Sequence, residues 1–402
     1  MQEVDLGDKV VHSVFQPIFS FPNQACVGVE ALVRGEIKDG SKKLSAYECL
    51  KVPECINQHD FAQSLNHCHL SNWKSLQTTE NWLFLNLDFD NVSSFDEFCL
   101  GDLLDELQIN GRQVVVEVVE SEIKDEKLFE ELIFVLRKQG CLIALDDFGA
   151  GHSNVDRIWK AQPDIVKLDR QVLLEASKSV RSQSILRNLT KLIQQSGSIA
   201  LLEGIETKEQ ALLAMNVGVD LVQGFYFARP HEDFSGIEKG EELVREITNN
   251  YPTYLSELNF VRNIQRKGYE ALFETLNNLE SELQIEAEML QISNMSFVKR
   301  FFVLDEQGYQ VSEEYGINEQ QGSGQDVLKK GKGLCWKNRR YFTKAMATPN
   351  DIYISEPYRS LIDVELCLTI SKVITSCSGE KFIACYDVYY HDKSTSTVQI
   401  SV

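Results

Sequence analysis

The sequence contains no apolar run of the roughly 18 residues needed to cross a bilayer as a helix, so no membrane passage of that kind is expected. Its first residues, MQEVDLGDKVVHSVF, carry neither a basic flank nor a signal-type apolar core, and a cytoplasmic protein is expected. Cysteine occurs ten times, but never as CxxC and never in a Cys/His cluster of zinc spacing. In a cytoplasmic chain such thiols are read as reduced, mostly buried small apolar residues. Positive charge is scarce: 40 Lys and Arg against 60 Asp and Glu leave a net charge of −20. That balance argues against a DNA partner, which would want a basic face. It also means that a phosphate could approach a carboxylate-rich site only if metal ions reversed the local field. What is present is globular in kind: 402 residues, 43% hydrophobic and 25% charged, allow two or three domains with ample core.

The most informative stretch is Cys141 to Asn154, CLIALDDFGAGHSN. An apolar run bounded by glycine reads as a buried strand, yet this one ends on two adjacent aspartates. An ionised carboxylate taken from water needs a partner, and a divalent cation is the usual partner of clustered oxygens. The alternative is that Asp146 and Asp147 cap the following turn and helix.

Other apolar strands end in the same way. Residues 25–33 hold Glu30, with Arg34 following; 82–87 hold Asn86; 113–120 hold Glu117 and Glu120; 164–168 hold Lys167. Residues 199–203 end on Glu203, with Glu206 three further on, and 219–223 end on Gln223. The steps between 86, 117, 146, 167, 203 and 223 are 31, 29, 21, 36 and 20 residues, each the length of one strand–helix unit. Alternating strands and helices predict a parallel sheet with helices outside. An open doubly wound sheet would carry a GxGxxG turn after its first strand, and none is present. A closed barrel brings every strand's C-terminal end to one mouth. The expected fold is therefore α/β, a closed (β/α) barrel over about 8–236. Its first strand is expected at 14–19, its helices at 45–78, 95–107, 124–138, 153–159, 171–195 and 208–216, the last capped by Thr207 and ended by Gly218.

Beyond Pro230 the composition changes. Residues 237–296 read as a helical linker, in which Tyr269, Leu272, Leu276, Leu279, Leu283 and Leu290 follow 3–4 spacing. That stripe suits a coiled-coil seam or packing on the chain's own domain. Residues 297–402 read as a small α+β unit whose opening strands turn at Glu306-Gln307-Gly308.

Taken in order, FQPIF, VEALVR (29–34), LNLD (85–88), VEVVE (116–120), DDFGAGHSN (146–154), DIVKLD (164–169), EGIET (203–207) and QGFYFARP (223–230) resemble the motifs of EAL-domain cyclic di-GMP phosphodiesterases. The resemblance covers 1–236 and implies a TIM-type (β/α)8 barrel there, hydrolysing one phosphodiester of cyclic di-GMP to give linear pGpG with two Mg²⁺ or Mn²⁺ ions. It implies that Glu30, Asn86, Glu117 and Asp146 hold one metal and Asp146, Asp147 and Glu203 serve the other. Lys167 and Gln223 would orient or help ionise the nucleophilic water, Arg34 would pair with a phosphate oxygen, and Gln16 would contact substrate. Glu120 would hold the loop after DDFG, and Glu206 would support the site. Without the resemblance, Lys167 and Arg34 read equally as salt-bridge partners and Asn86 as a turn former. The family usually reads DFGTGYSS where this chain has DFGAGHSN, so Ala150 loses a hydroxyl and His152 replaces an aromatic. The family uses this loop to couple dimerisation to activity, and a homodimer is expected. No GGDEF-like motif appears. The C-terminal unit resembles PAS-like or Cache-like sensor domains, which implies a small ligand of unknown identity; Tyr341, Tyr353 and Tyr358 would line a pocket or serve as core aromatics with a polar tip. The other function class left open is a receptor that binds cyclic di-GMP without turning it over.

Overall fold

The computed structural model describes residues 2–53, 56–76, 81–86, 100–119, 126–150, 155–276, 279, 281–292, 297–313, 315–316 and 331–390. The chain divides into two compact units, Met1–Tyr254 and Leu255–Lys393.

The first unit is an eight-stranded barrel. Its strands are β1 (Lys9–Ser20), β2 (Ala25–Ile37), β3 (Trp82–Asn86), β4 (Val114–Val119), β5 (Leu142–Phe148), β6 (Ile165–Leu168), β7 (Ile199–Leu202) and β8 (Leu221–Val222). Strands β2 to β8 pair in sequence order and in parallel. The barrel closes through β1, which is antiparallel to both β2 and β8. It is thus mixed, where strand–helix alternation predicts a wholly parallel sheet. The cause is local: four residues, Phe21 to Gln24, separate β1 from β2. So short a connection can only make a hairpin, because a parallel crossover needs about a dozen residues or more.

Outside the barrel lie α1 (Gln58–Leu76), α2 (Leu100–Glu106), α3 (Glu126–Lys138), α4 (Val155–Ala161), α5 (Arg170–Ala176), α6 (Val180–Gln195) and α7 (Lys208–Val217). Two expected helices are shorter or divided. The 45–78 segment gives a one-turn helix, Ala46–Leu50, and then α1, with Pro53 between them. The 171–195 segment divides where Ser179 accepts from Ser182 N and starts α6 afresh. Helix α7 follows its cues: Thr207 and Gln210 form a capping box, and Gly218 ends it at φ +87°. Alternation along the strands sorts two cores. Leu83, Leu85, Val116, Ile143, Leu145, Val166 and Leu202 face the helices, while Phe84, Val115, Ala144, Ile165, Leu201 and Leu221 fill the barrel.

A long helix, α8 (Ile237–Glu270), follows, with Gly240, Val244 and Ile247 buried. The second unit is built on an antiparallel sheet of β9 (Val298–Asp305), β10 (Leu366–Thr375) and β11 (Lys381–Tyr389), edged by two-residue strands. Gly308 at φ +85° turns the chain after β9, so that Gln310 bridges back to Leu304. One sheet face is covered by Leu272, Phe273 and Leu276 of a 3-10 turn and by Ile285 and Met289 of α9 (Glu282–Ile292). The other is covered by Tyr341, Phe342 and Ala345 of α10 (Arg340–Ala347). The leucine stripe is therefore not one seam: Leu272 and Leu276 pack into this unit's own core, while Leu283 and Leu290 are exposed. Tyr341 is a core aromatic, and the Tyr358 hydroxyl meets Thr369 Oγ1 at 2.5 Å. Among the described residues no helix is long and apolar enough to cross a membrane. The eight cysteines within the described residues form no disulfide, and six of them are buried.

Candidate functional site

The barrel interior is sealed by one apolar layer: Ile18, Phe84, Val115, Ala144, Ile165, Leu201 and Leu221. Strand β2 contributes Gly28 to this layer, where a Cβ would stand 2.9 Å from the Phe84 ring. Side chains two apart on a strand share a face, so the next layer up can be read directly from the floor. Two residues further on lie Glu30, Asn86, Glu117, Asp146, Lys167, Glu203 and Gln223. On the reversed strand β1, two residues back from Ile18 lies Gln16, which pairs in register with Glu30. Each strand thus gives one polar side chain to a ring at the C-terminal mouth of the seven parallel strands.

Within the ring, Glu30 is held by two amides: Asn86 Nδ2 donates to its Oε1 at 3.1 Å and Gln223 Nε2 to its Oε2 at 2.7 Å. The ammonium of Lys167 stands among four carboxylates, 2.5 Å from Glu117 Oε1, 2.8 Å from Glu203 Oε1, 3.1 Å from Asp146 Oδ1 and 3.8 Å from Glu30 Oε1. At these distances the contacts to Glu117, Glu203 and Asp146 are charge-assisted, the ammonium serving as the shared donor of the three carboxylates. Four carboxylates against one ammonium give a formal charge of −3. Burial works against charge on Lys167, but Asp146, Glu117, Glu203 and Glu30 together outweigh it and hold its pKa well above the ordinary lysine value. Burial pushes Glu117 well above the carboxylate range, against the pull of Lys167. Burial likewise raises Glu203, to about 8.

Asp147 sits at the strand's turn, exposed, with its amide donating to Asp146 Oδ1 at 2.9 Å. Its φ of +54° is left-handed, a conformation that aspartate tolerates better than most residues but that still carries strain. Burial, then Asp146 and Asp169, raise its pKa.

The remaining expected residues are placed differently. Arg34 lies on β2 beyond Glu30 and donates to its neighbour's carbonyl, Val33 O, at 2.7 Å. Gln16 Nε2 is 3.4 Å from Ala228 O. Glu206 pairs with Arg170 at 2.9 Å, joining the turn after β7 to the start of α5. Glu120 and the loop residue His152 lie outside the described residues.

Two features were not anticipated. Asp169 caps α5 by accepting from Gln171 N; the sequence cue was an aspartate directly before a helix. Lys9 is buried and donates to the carbonyls of Glu48, Cys49 and Lys51 at 2.7, 3.0 and 2.7 Å, satisfying the end of the short helix that follows β2. Nothing in the order of residues separates that lysine from a surface one. Among the described residues, no group of three or more His, Cys, Asp and Glu is spaced as a ready metal cluster; the Lys167 ammonium stands between the carboxylates instead.

The EAL domain pattern matches residues 2–230, more than half of the chain. The cyclic di-GMP phosphodiesterase RocR of Pseudomonas aeruginosa is 33% identical over 129 residues, covering 32% of this chain and 33% of RocR. The probable cyclic di-GMP phosphodiesterase PdeB of Escherichia coli is 28% identical over 241 residues, covering 58% of this chain and 45% of PdeB. The chain therefore spans less than half the length of these two relatives. In structure it resembles the Bacillus subtilis YkuI protein, which has an EAL domain and was solved in complex with substrate c-di-GMP and calcium. That likeness has a TM-score of 0.75 at 22% identity and covers 96% of this chain and 97% of YkuI, so the whole two-unit fold is shared.

Proposed function

This chain belongs to the EAL-domain family, and from that premise we propose that it is a metal-dependent phosphodiesterase hydrolysing cyclic di-GMP to linear pGpG. The observation that carries the reading is the polar ring above the sealed floor. Its donors fit Mg²⁺ or Mn²⁺, which prefer hard oxygen ligands, and Glu117, Asp146 and Glu203 already gather their oxygens around one cation, the Lys167 ammonium. Two such ions, when bound, supply an acidified water and neutralise charge on the attacking and leaving oxygens.

Glu30, Asn86, Glu117 and Asp146 would hold one ion, and Asp146, Asp147 and Glu203 the other. Gln223, already hydrogen-bonded to Glu30, keeps that carboxylate oriented and presents its amide to the water. Lys167, held charged by its neighbours, acts where negative charge develops. Arg34 would release the Val33 carbonyl to pair its guanidinium with a phosphate oxygen. Gln16 contacts substrate from the reversed strand. Glu206, through Arg170, and Glu120 brace the neighbouring loops.

The proposed division is a barrel over 1–236, a helical linker over 237–296 and a PAS-like or Cache-like sensor over 297–402, acting on a homodimer in the cytoplasm in response to a small ligand. The support is the antiparallel sheet covered by helical segments on both faces. The test of the central activity is incubation of the purified chain with cyclic di-GMP and Mg²⁺ or Mn²⁺, with separation of linear product. Linear pGpG is expected; unchanged substrate with both metals contradicts the reading.

A further inference from the structure

We infer that Lys167 is the resident counter-ion of the carboxylate ring and competes with divalent cations for it. This rests on the reading of the ring as a metal site and adds how that site is held when no ion is bound. The ammonium is within 2.5–3.1 Å of Glu117 Oε1, Glu203 Oε1 and Asp146 Oδ1. Divalent ions bind oxygens at about 2.0–2.6 Å, so an ion held by Glu117 and Asp146, or one held by Asp146 and Glu203, shares two of these oxygens with the ammonium and lies against it. In a site closed below by the apolar floor, two cations so close repel strongly. One must yield, and the lysine, on a flexible stem, is the one that can withdraw.

The lysine thus has two duties. Without metal it neutralises part of a buried negative cluster whose members would otherwise repel one another. With metal it gives up those oxygens and moves toward the mouth, where the reacting water is placed. The cost of displacing it weakens metal binding.

The experiment uses the full chain and Ca²⁺ alone, with binding measured by calorimetry and stability by thermal unfolding. Lys167→Met is expected to bind Ca²⁺ about tenfold tighter or more than the parent, to melt lower than the parent without metal, and to recover more of its melting temperature when Ca²⁺ is added. The same comparison is made in a Glu117→Gln background, where one carboxylate fewer makes the lysine-free ring easier to fold; tighter Ca²⁺ binding on loss of the lysine is expected there too. Equal or weaker Ca²⁺ binding by the lysine-free form in whichever background folds overturns the inference. So does failure of both lysine-free forms to fold in millimolar Ca²⁺, since the ion should take over the ammonium's role. Hydrolysis of cyclic di-GMP by the parent is scored separately: Ca²⁺ results as expected with no turnover would sink the phosphodiesterase reading and leave the competition standing.

Discussion

Lys167 Nζ lies 2.5 Å from Glu117 Oε1, and the two side chains are 1% and 0% exposed. A buried pair of this kind is usually strongly destabilised when one partner is removed, because the other is left charged and alone. Here the ring holds surplus carboxylates, so the two directions of removal are not equivalent.

Glu117→Gln keeps the shape and relieves repulsion from Glu30, Asp146 and Glu203. It is expected to cost activity about a hundredfold or more, as a lost metal ligand, while changing stability by under about 1.5 kcal/mol. Kinetics together with thermal unfolding check this. A collapse of stability with preserved turnover per folded molecule would reverse the assignment.

Metal removal gives a second expectation. Excess chelator should abolish product, and added Mn²⁺ or Mg²⁺ should restore it, because the carboxylate-rich ring repels a phosphodiester until ions reverse its field. Product formed at the full rate in excess chelator would be incompatible with the two-metal chemistry.

His69 provides a pH test away from the mouth. Its Nδ1 meets Ser13 Oγ at 2.9 Å in a buried cluster with Asn72 and Cys68, and burial lowers its pKa to about 4. The unfolded chain binds the proton near pH 6.5, so between these values the unfolded state holds more protons than the folded one. Stability from this group is therefore full above about pH 6.5 and is lost as the pH falls toward 4, by about 3 kcal/mol. Denaturant titrations across that range should give a flatter profile for His69→Asn than for the parent; parallel profiles would show that His69 is not the group responsible.

Much of the ring was legible because the barrel strands are short and two-sided. In Trp82–Asn86 and Leu142–Phe148, the apolar run stops where the interior meets water, and the next inward residue is polar. The reversed strand was harder to read. Gln16 joins the ring only because β1 runs antiparallel, a consequence of the hairpin at 21–24 that strand–helix alternation hides. The central place of Lys167 was not legible either: its position at a strand end was, but four simultaneous carboxylate contacts depend on barrel closure. In the second unit, the stripe from Tyr269 to Leu290 left two readings open, and Leu272 and Leu276 follow the one in which it packs on the chain's own domain; spacing alone could not show that Leu283 and Leu290 are exposed.

The measurement closest to the central claim is the split between turnover and substrate binding at Lys167. The account predicts that Lys167→Ala lowers kcat by orders of magnitude, since an ammonium beside the reacting water acts on developing charge. Cyclic di-GMP affinity, measured with Ca²⁺ in place of Mg²⁺, should stay within about tenfold, roughly 1.4 kcal/mol. A parent protein that binds cyclic di-GMP tightly yet forms no pGpG for the substitution to remove would contradict the account and identify a receptor instead.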